Sequence, residues 1–155
     1  MLRNMATIFL FNKNQLLMLK RSTEKEFNPN VWSVIGGHIE SHEWKNPLET
    51  ALREISEEIG FEECDLSEIN LRYILLRKAE EEIRTQYVFI AKTSRYTFQN
   101  SKEGELHWVP KEDILSKNMT ITIYNSLKHY LENEYGNEIT VGIFNKDGNV
   151  LWSKI

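Results

Sequence analysis

The sequence predicts an α+β fold: a mixed β-sheet sandwiched between helices and extended at the C-terminus by a β-hairpin. Three observations carry that prediction. Short β-prone runs outnumber helical stretches and are mostly joined by hairpin-length turns. Two segments, Leu48–Ile59 and Thr122–Tyr135, repeat apolar residues at helical spacing. Near the end, Asn145-Lys146-Asp147-Gly148 separates two further strand-like runs, a strong hairpin signal.

Taken in order, Met5–Phe11 is an apolar, β-prone run. The turn residues Asn12-Lys13-Asn14 let Gln15–Lys20 pair back on it. Lys20-Arg21 end that arm with two cations; a solvated strand end is the bland reading, and an Arg21 fork aimed at phosphate the functional one. Ser22–Asn30 is polar, contains Pro29 and reads as a loop. Val31–Ile35 is expected to be a strand halted by Gly36-Gly37, a pair that marks a sharp turn or a close approach. Pro47 suits the first turn of a helix, where its missing N–H is not needed. Leu48, Ala51, Leu52, Ile55 and Ile59 then form the core stripe. Gly60 supplies a left-handed cap, with Phe61 beyond it.

Glu62–Glu68 is an acidic connector. Leu71–Arg77 and Thr85–Ala91, separated by Lys78–Glu82, are expected as neighbouring antiparallel strands. Ser94–Glu103 is a loop by composition, and Leu106–Val109 a strand closed by Pro110. Lys111–Leu115 reads as a short helical turn, Thr122–Tyr135 as an amphipathic helix ending at Gly136, and Glu138–Phe144 with Asn149–Lys154 as the final hairpin.

A length of 155 residues suits a single domain, residues 1–155, with 137–155 as a C-terminal hairpin extension. A hydrophobic share of 41% is too high for a disordered chain. A net charge of −4 supplies no basic stripe, so binding to a nucleic-acid polymer is not expected. No apolar run is long enough to span a membrane, and one cysteine, Cys64, cannot form an intrachain disulfide. Without the features of a signal peptide, a cytoplasmic protein is expected.

The chemistry concentrates between Gly36 and Phe61. Glu57 and Glu58 fall on either side of Glu54 on one helical face. Like charges at these spacings destabilise a helix by roughly 0.2–0.5 kcal/mol per pair. A chain that clusters them anyway is breaking a local rule, as functional sites do. A divalent cation would turn the repulsion into coordination.

Gly37, Glu43 and the run Arg53-Glu54-Ile55-Ser56-Glu57-Glu58-Ile59-Gly60-Phe61 resemble the Nudix box of hydrolases that cleave nucleoside-diphosphate linkages. The resemblance covers roughly residues 1–135 and includes Arg21, Trp32, Glu103-Gly104 and Trp108 in the family's order. Nine residues separate Glu43 from Arg53, two more than is usual in the family, and they sit before Pro47. Whether Glu43 still anchors Arg53 is therefore open at this level. His42 and Ile35 replace a common glycine and a common proline.

The resemblance implies a MutT-like fold and hydrolysis of a phosphoric anhydride. It implies Mg²⁺, with Mn²⁺ as the alternative, held by Glu54, Glu57, Glu58 and the Gly37 carbonyl, with Glu103 added from the late loop and Glu105 as runner-up. Arg53, Glu54 and Glu57 are the implied catalytic residues: Arg53 orients the glutamates and Glu54 takes a proton from water. Arg21 is the expected contact to substrate phosphate. The implied substrate is a small nucleotide, first a nucleoside triphosphate such as 8-oxo-dGTP. ADP-ribose, dinucleoside polyphosphates and a non-catalytic nucleotide-binding role are the alternatives. His38, His42 and Asn118 are weaker candidates for substrate contacts, and Trp32, Phe89 and Trp108 are read as core. A monomer or homodimer is expected, the homodimer through the Val141-Ile143-Leu151 face of the hairpin.

Overall fold

The computed structural model describes residues 1–22 and 29–155; the middle of the expected Ser22–Asn30 loop lies outside the described residues. Nine strands and three helices are present among them: β1 Leu2–Asn12, β2 Gln15–Arg21, β3 Trp32–Ser33, β4 Ile35–His38, α1 Pro47–Ile59, β5 Ser67–Ala79, β6 Glu82–Lys92, β7 Gly104–Pro110, α2 Lys111–Ile114, α3 Ile121–Glu132, β8 Thr140–Phe144 and β9 Val150–Lys154. The strands form one mixed sheet ordered β3-β2-β1-β6-β5-β8-β9, with β4 paired to β1 and β7 to β2.

Alternation along β1 divides the core. Ala6, Ile8 and Leu10 face one side, where Ala51, Ile55 and Ile59 of α1 cover them. Phe9 and Phe11 face the other, against Ile123 and Leu127 of α3. The sheet is thus sandwiched between helices. Phe89 is buried, whereas Trp32 and Trp108 are half-buried and pack at the margins of the two clusters.

Several expectations are corrected. The expected Val31–Ile35 strand divides at Val34 into β3 and β4, and the glycines do not halt it. β4 runs through them, with Gly36 opposite Thr7 and Gly37 opposite Ala6. A Cβ on Gly36 would stand 2.6 Å from the Ala6 carbonyl oxygen, so these glycines serve close approach of two strands rather than a turn. β1 and β2 pair only beside their turn; the rest of β2 pairs with β7, from Gln15 opposite Pro110 to Arg21 opposite Gly104. The β5–β6 pair is antiparallel as expected but longer, because charged residues continue both strands to a turn at Glu80-Glu81. Within the acidic connector, Glu63–Asp65 form a 3₁₀ turn and β5 begins at Ser67. α3 stops at Glu132 rather than Tyr135, and the Asn133 side chain bonds back to the His129 carbonyl at 2.8 Å.

The final hairpin forms as expected and joins the sheet through β8, which runs parallel to β5. Phe144 is buried, and Trp152 lies 4.4 Å from the His129 ring and 5.5 Å from that of Tyr73. Its other face leaves Ile143 and Leu151 exposed. Among the described residues no helix is long and apolar enough to cross a membrane.

Candidate active site

α1 begins at Pro47 and ends where Gly60, at φ 74°, donates its N–H to the Ser56 carbonyl at 3.0 Å. Burial of Ala51, Ile55 and Ile59 fixes the helix's rotation, which turns Arg53, Glu54, Glu57 and Glu58 towards the rim of the sheet. Arg53 is the hub. Its Nε donates to Glu43 Oε1 at 2.8 Å, Nη1 to Glu54 Oε1 at 2.8 Å and Glu57 Oε2 at 3.4 Å, and Nη2 to the His38 carbonyl at 3.1 Å.

The lengthened connector does not separate Glu43 from Arg53. Ser41–Glu43 form a 3₁₀ turn that tucks Glu43 under the helix, where it is almost fully buried. Its Oε2 accepts from the Thr50 hydroxyl at 2.7 Å and the Glu40 N–H at 3.0 Å. The Arg53 guanidinium holds the Glu43 carboxyl down at about 2, against the desolvation that pushes the other way. Glu54 shifts in the opposite direction: burial raises it, and Arg53 only partly opposes this.

Glu54 presses against the strand backbone. A Cβ on Gly37 would lie 2.0 Å from Glu54 Oε1, so this carboxylate occupies the space a side chain there would fill. Beside it opens a cleft of about 240 Å³, bordered by Arg21, Gly36, Glu54, Glu58 and Glu103. The late loop is tied over the helix end: Gln99 Nε2 donates to the Glu57 carbonyl at 3.2 Å, and the Ser101 hydroxyl donates to Glu58 Oε2. Ser101 Oγ also accepts the Glu103 N–H at 3.1 Å, which sets Glu103 across the cleft from the helix. Arg21 Nε is buried and unpartnered among the described residues.

The structure thus gathers Arg21, Glu54, Glu58 and Glu103 around one cleft, with Gly37 against Glu54 beside it. Glu57 stands at its outer edge on Arg53, with more than half its side chain exposed. Glu105 points elsewhere, 3.3 Å from His107, and Cys64 is exposed outside the site. The Asn118 carbonyl accepts the Trp32 N–H at 2.8 Å. Thr50, Gln99 and Ser101 escaped the sequence reading. Thr50 passes for an ordinary helix residue, and Gln99 and Ser101 gain their partners only when the loop folds onto α1.

As a donor set the cleft offers carboxylate oxygens and backbone carbonyls, the chemistry a hard divalent cation prefers. Glu54 Oε1 lies against the Gly37 backbone where a Cβ would stand, which fits such an ion's need for backbone and carboxylate oxygen side by side. No three His, Cys, Asp or Glu side chains among the described residues converge on one point, because Arg53 and Ser101 hold oxygens of Glu54, Glu57 and Glu58.

Comparison with known proteins agrees with this fold. Residues 1–130 match the family model of the NUDIX domain. Among solved structures, the chain is similar to the MutT protein of Bacillus halodurans at 21% identity and TM-score 0.72, covering 98% of this chain and 97% of that one. It is similar to an Ap4A hydrolase of C. elegans in a binary complex, at 20% identity and TM-score 0.68, over 84% of this chain and 96% of that one. The NUDIX domain of Shewanella oneidensis NrtR, solved with ADP ribose, matches at 16% identity and TM-score 0.68, over 84% and 87%. With the family model spanning most of its length, the chain belongs to the NUDIX family.

Proposed function

We propose that the chain hydrolyses a nucleoside triphosphate to the monophosphate and pyrophosphate with Mg²⁺, an oxidised purine such as 8-oxo-dGTP being one candidate substrate. The observation that supports this best is the cleft in which Arg21 faces Glu54, Glu58 and Glu103 beside the Gly36-Gly37 backbone. Glu54, Glu57, Glu58, Glu103 and the Gly37 carbonyl would hold the cation. When bound, it neutralises charge on the phosphate oxygens and polarises a water.

The remaining work falls to the protein. Arg21, with its unpartnered Nε, offers a fork to the phosphate oxygens of the leaving group. Arg53 keeps Glu54 and Glu57 apart and oriented. Glu54, packed on the strand, accepts the proton of the attacking water as the water oxygen bonds to phosphorus. The bridging P–O bond then breaks and its electron pair leaves with pyrophosphate. The whole chain acts in this reading as one domain, with 137–155 an extension remote from the chemistry.

A kinetic panel of canonical, oxidised and diphosphate-bridged nucleotides, each with Mg²⁺ and Mn²⁺, tests it. Pyrophosphate release from a triphosphate should dominate; faster cleavage of ADP-ribose or a dinucleoside polyphosphate would move the substrate to that class. Glu57→Gln should lower kcat by roughly 10²–10³-fold, the scale for losing one preorganised electrostatic partner. Its melting temperature should stay close to that of the parent. Full activity of this variant at saturating Mg²⁺ would remove Glu57 from the mechanism.

A further inference from the structure

A larger cavity, of about 720 Å³ against about 240 Å³ for the carboxylate cleft, lies towards the other end of the sheet. The two have no lining residue in common. Lys92 on its wall is in register with Phe11, four residues along β1 from Thr7, which is opposite Gly36. At about 3.3 Å per residue, some 13 Å of strand separates the two spaces. The walls come from the β1–β2 turn, the start of β5, the end of β6, the start of α2 and the end of α3. None of these residues enters the hydrolysis.

Charge sets this cavity apart in a chain whose net charge is −4. Its wall carries four cations, Lys13, Arg72, Lys92 and Lys111, against two carboxylates, Glu68 and Glu134. Lys92 lies 2.5 Å from Glu68 and Lys111 2.8 Å from Glu134, which leaves Lys13 and Arg72 in excess. Lys13 has no ion pair or side-chain hydrogen bond among the described residues.

The backbone is bent to place these groups. Lys13 at φ 52° and Glu68 at φ 51° both take the left-handed conformation that favours glycine and asparagine. Such backbone gathers where a ligand is held. β5 carries one extra residue against β6 between Leu71 and Tyr73, and that residue is Arg72. The bulge leaves Tyr73 in the core under α3 and sets Arg72, only 6% exposed, in the cavity wall. Arg72 Nη1 donates to the Glu138 carbonyl at 2.8 Å and Nη2 to that of Asn133 at 2.7 Å. Its Nε has no acceptor among the described residues. A buried charged donor left unpaired is costly, so the wall lacks an acceptor that this chain does not supply.

We propose that this cavity is a second ligand site, separate from the carboxylate cleft, for a small dianion: a molecule bearing one phosphate group or a pair of carboxylates. The excess of two positive charges on the wall matches the ligand's charge. Both partners of the Lys92–Glu68 pair are exposed, so that pair is worth little and Lys92 is free to turn to the ligand. Arg72, tied by two carbonyls to the connector between α3 and β8, is already ordered, which spares the cost of fixing a mobile side chain on binding. The volume suits a metabolite rather than a lone ion, and Tyr130 adds an aromatic wall for the body of the ligand. The site stands whether or not the cleft hydrolyses nucleotides.

The test is an NMR titration of the isotope-labelled full chain at neutral pH without metal. Inorganic phosphate and succinate are added in separate series, each against sodium chloride at equal ionic strength. Amide shifts that saturate are expected at Lys13, Arg72, Ser94 and Asn137. Lys13→Asn, which suits the left-handed turn better than lysine, should weaken binding about ten-fold while the melting temperature holds or rises. Lys146→Gln removes the same charge from the β8–β9 turn, outside the cavity, and should leave the affinity unchanged. Arg72→Gln should also weaken binding; if that variant does not fold, Lys13→Asn decides alone. Binding of one anion and not the other sustains the site and names the group it takes. The proposal is overturned if neither anion gives saturating shifts beyond those of chloride, or if the shifts are confined to Gly36, Gly37 and Glu54. Equal losses of affinity in Lys13→Asn and Lys146→Gln overturn it too, since general charge and not the cavity would then hold the anion.

Discussion

Gly37 and Glu54 show how much one missing methyl group decides. The carboxylate sits where a Cβ would be, so the site exists only because residue 37 has no side chain. Gly37→Ala should therefore spare the fold, since the atom in the way is the tip of a flexible side chain, and displace Glu54. A loss of about 10²-fold or more in kcat with an unchanged circular dichroism spectrum is the expected result. Activity within two-fold or so of the parent would mean that Glu54 works equally well elsewhere. At this scale the sequence was informative for the box, whose identities are fixed by a helical register. It was silent on Gln99 and Ser101, whose roles depend on the late loop lying alongside α1.

Elements were legible where local chemistry alone determines them. Pro47, the apolar stripe and Gly60 delimit α1 to the residue, because caps and amphipathicity are properties of the segment itself. β4 was missed for the opposite reason: glycines disfavour a strand locally, and only the approach of β1 explains them. The Glu43–Arg53 link was unreadable too, since a longer connector can carry Glu43 away from the helix or, as here, coil into a 3₁₀ turn that returns it. Breaking this buried pair on one side by Glu43→Gln should cost about 3 kcal/mol at neutral pH. The Glu43 carboxyl is lowered in the fold from 4.5 to about 2, so its contribution is complete above about pH 4.5 and disappears as pH falls through about 2. Melting curves of parent and variant should thus keep a constant gap from pH 7 to about pH 5 and converge in stronger acid. A gap independent of pH would show that Glu43 acts by shape rather than charge.

The molecule as a whole extends beyond the matched family region, which ends at residue 130, by a hairpin that adds two strands to the sheet. Phe144 and Trp152 complete the packing around Tyr73 and His129 at the end of the sheet away from the carboxylates. Removing residues 137–155 should cost at least about 3–5 kcal/mol, the scale of losing one large buried aromatic. At roughly 2–4 °C per kcal/mol, the melting point falls by about 6 °C or more. Sedimentation of the same variant reads the exposed Ile143–Leu151 face. If the parent is a homodimer through this face, the truncated chain sediments as a monomer; an unchanged mass places any contact elsewhere. The mixed sheet was foreseeable from the count of β-prone runs, but its order was not. Parallel partners such as β1 with β6 are joined by side chains and hydrogen bonds that no turn announces.

That same parallel pairing governs how the chain must come together in time. β1 is made well before its partner from Ile83 to Lys92, which emerges only after some eighty further residues, and β5 waits nearly seventy for Thr140–Phe144. Contacts so distant in sequence are slow to close. On the ribosome this apolar strand therefore remains without its central neighbour while those residues are made, a stretch in which it is a natural client for a chaperone.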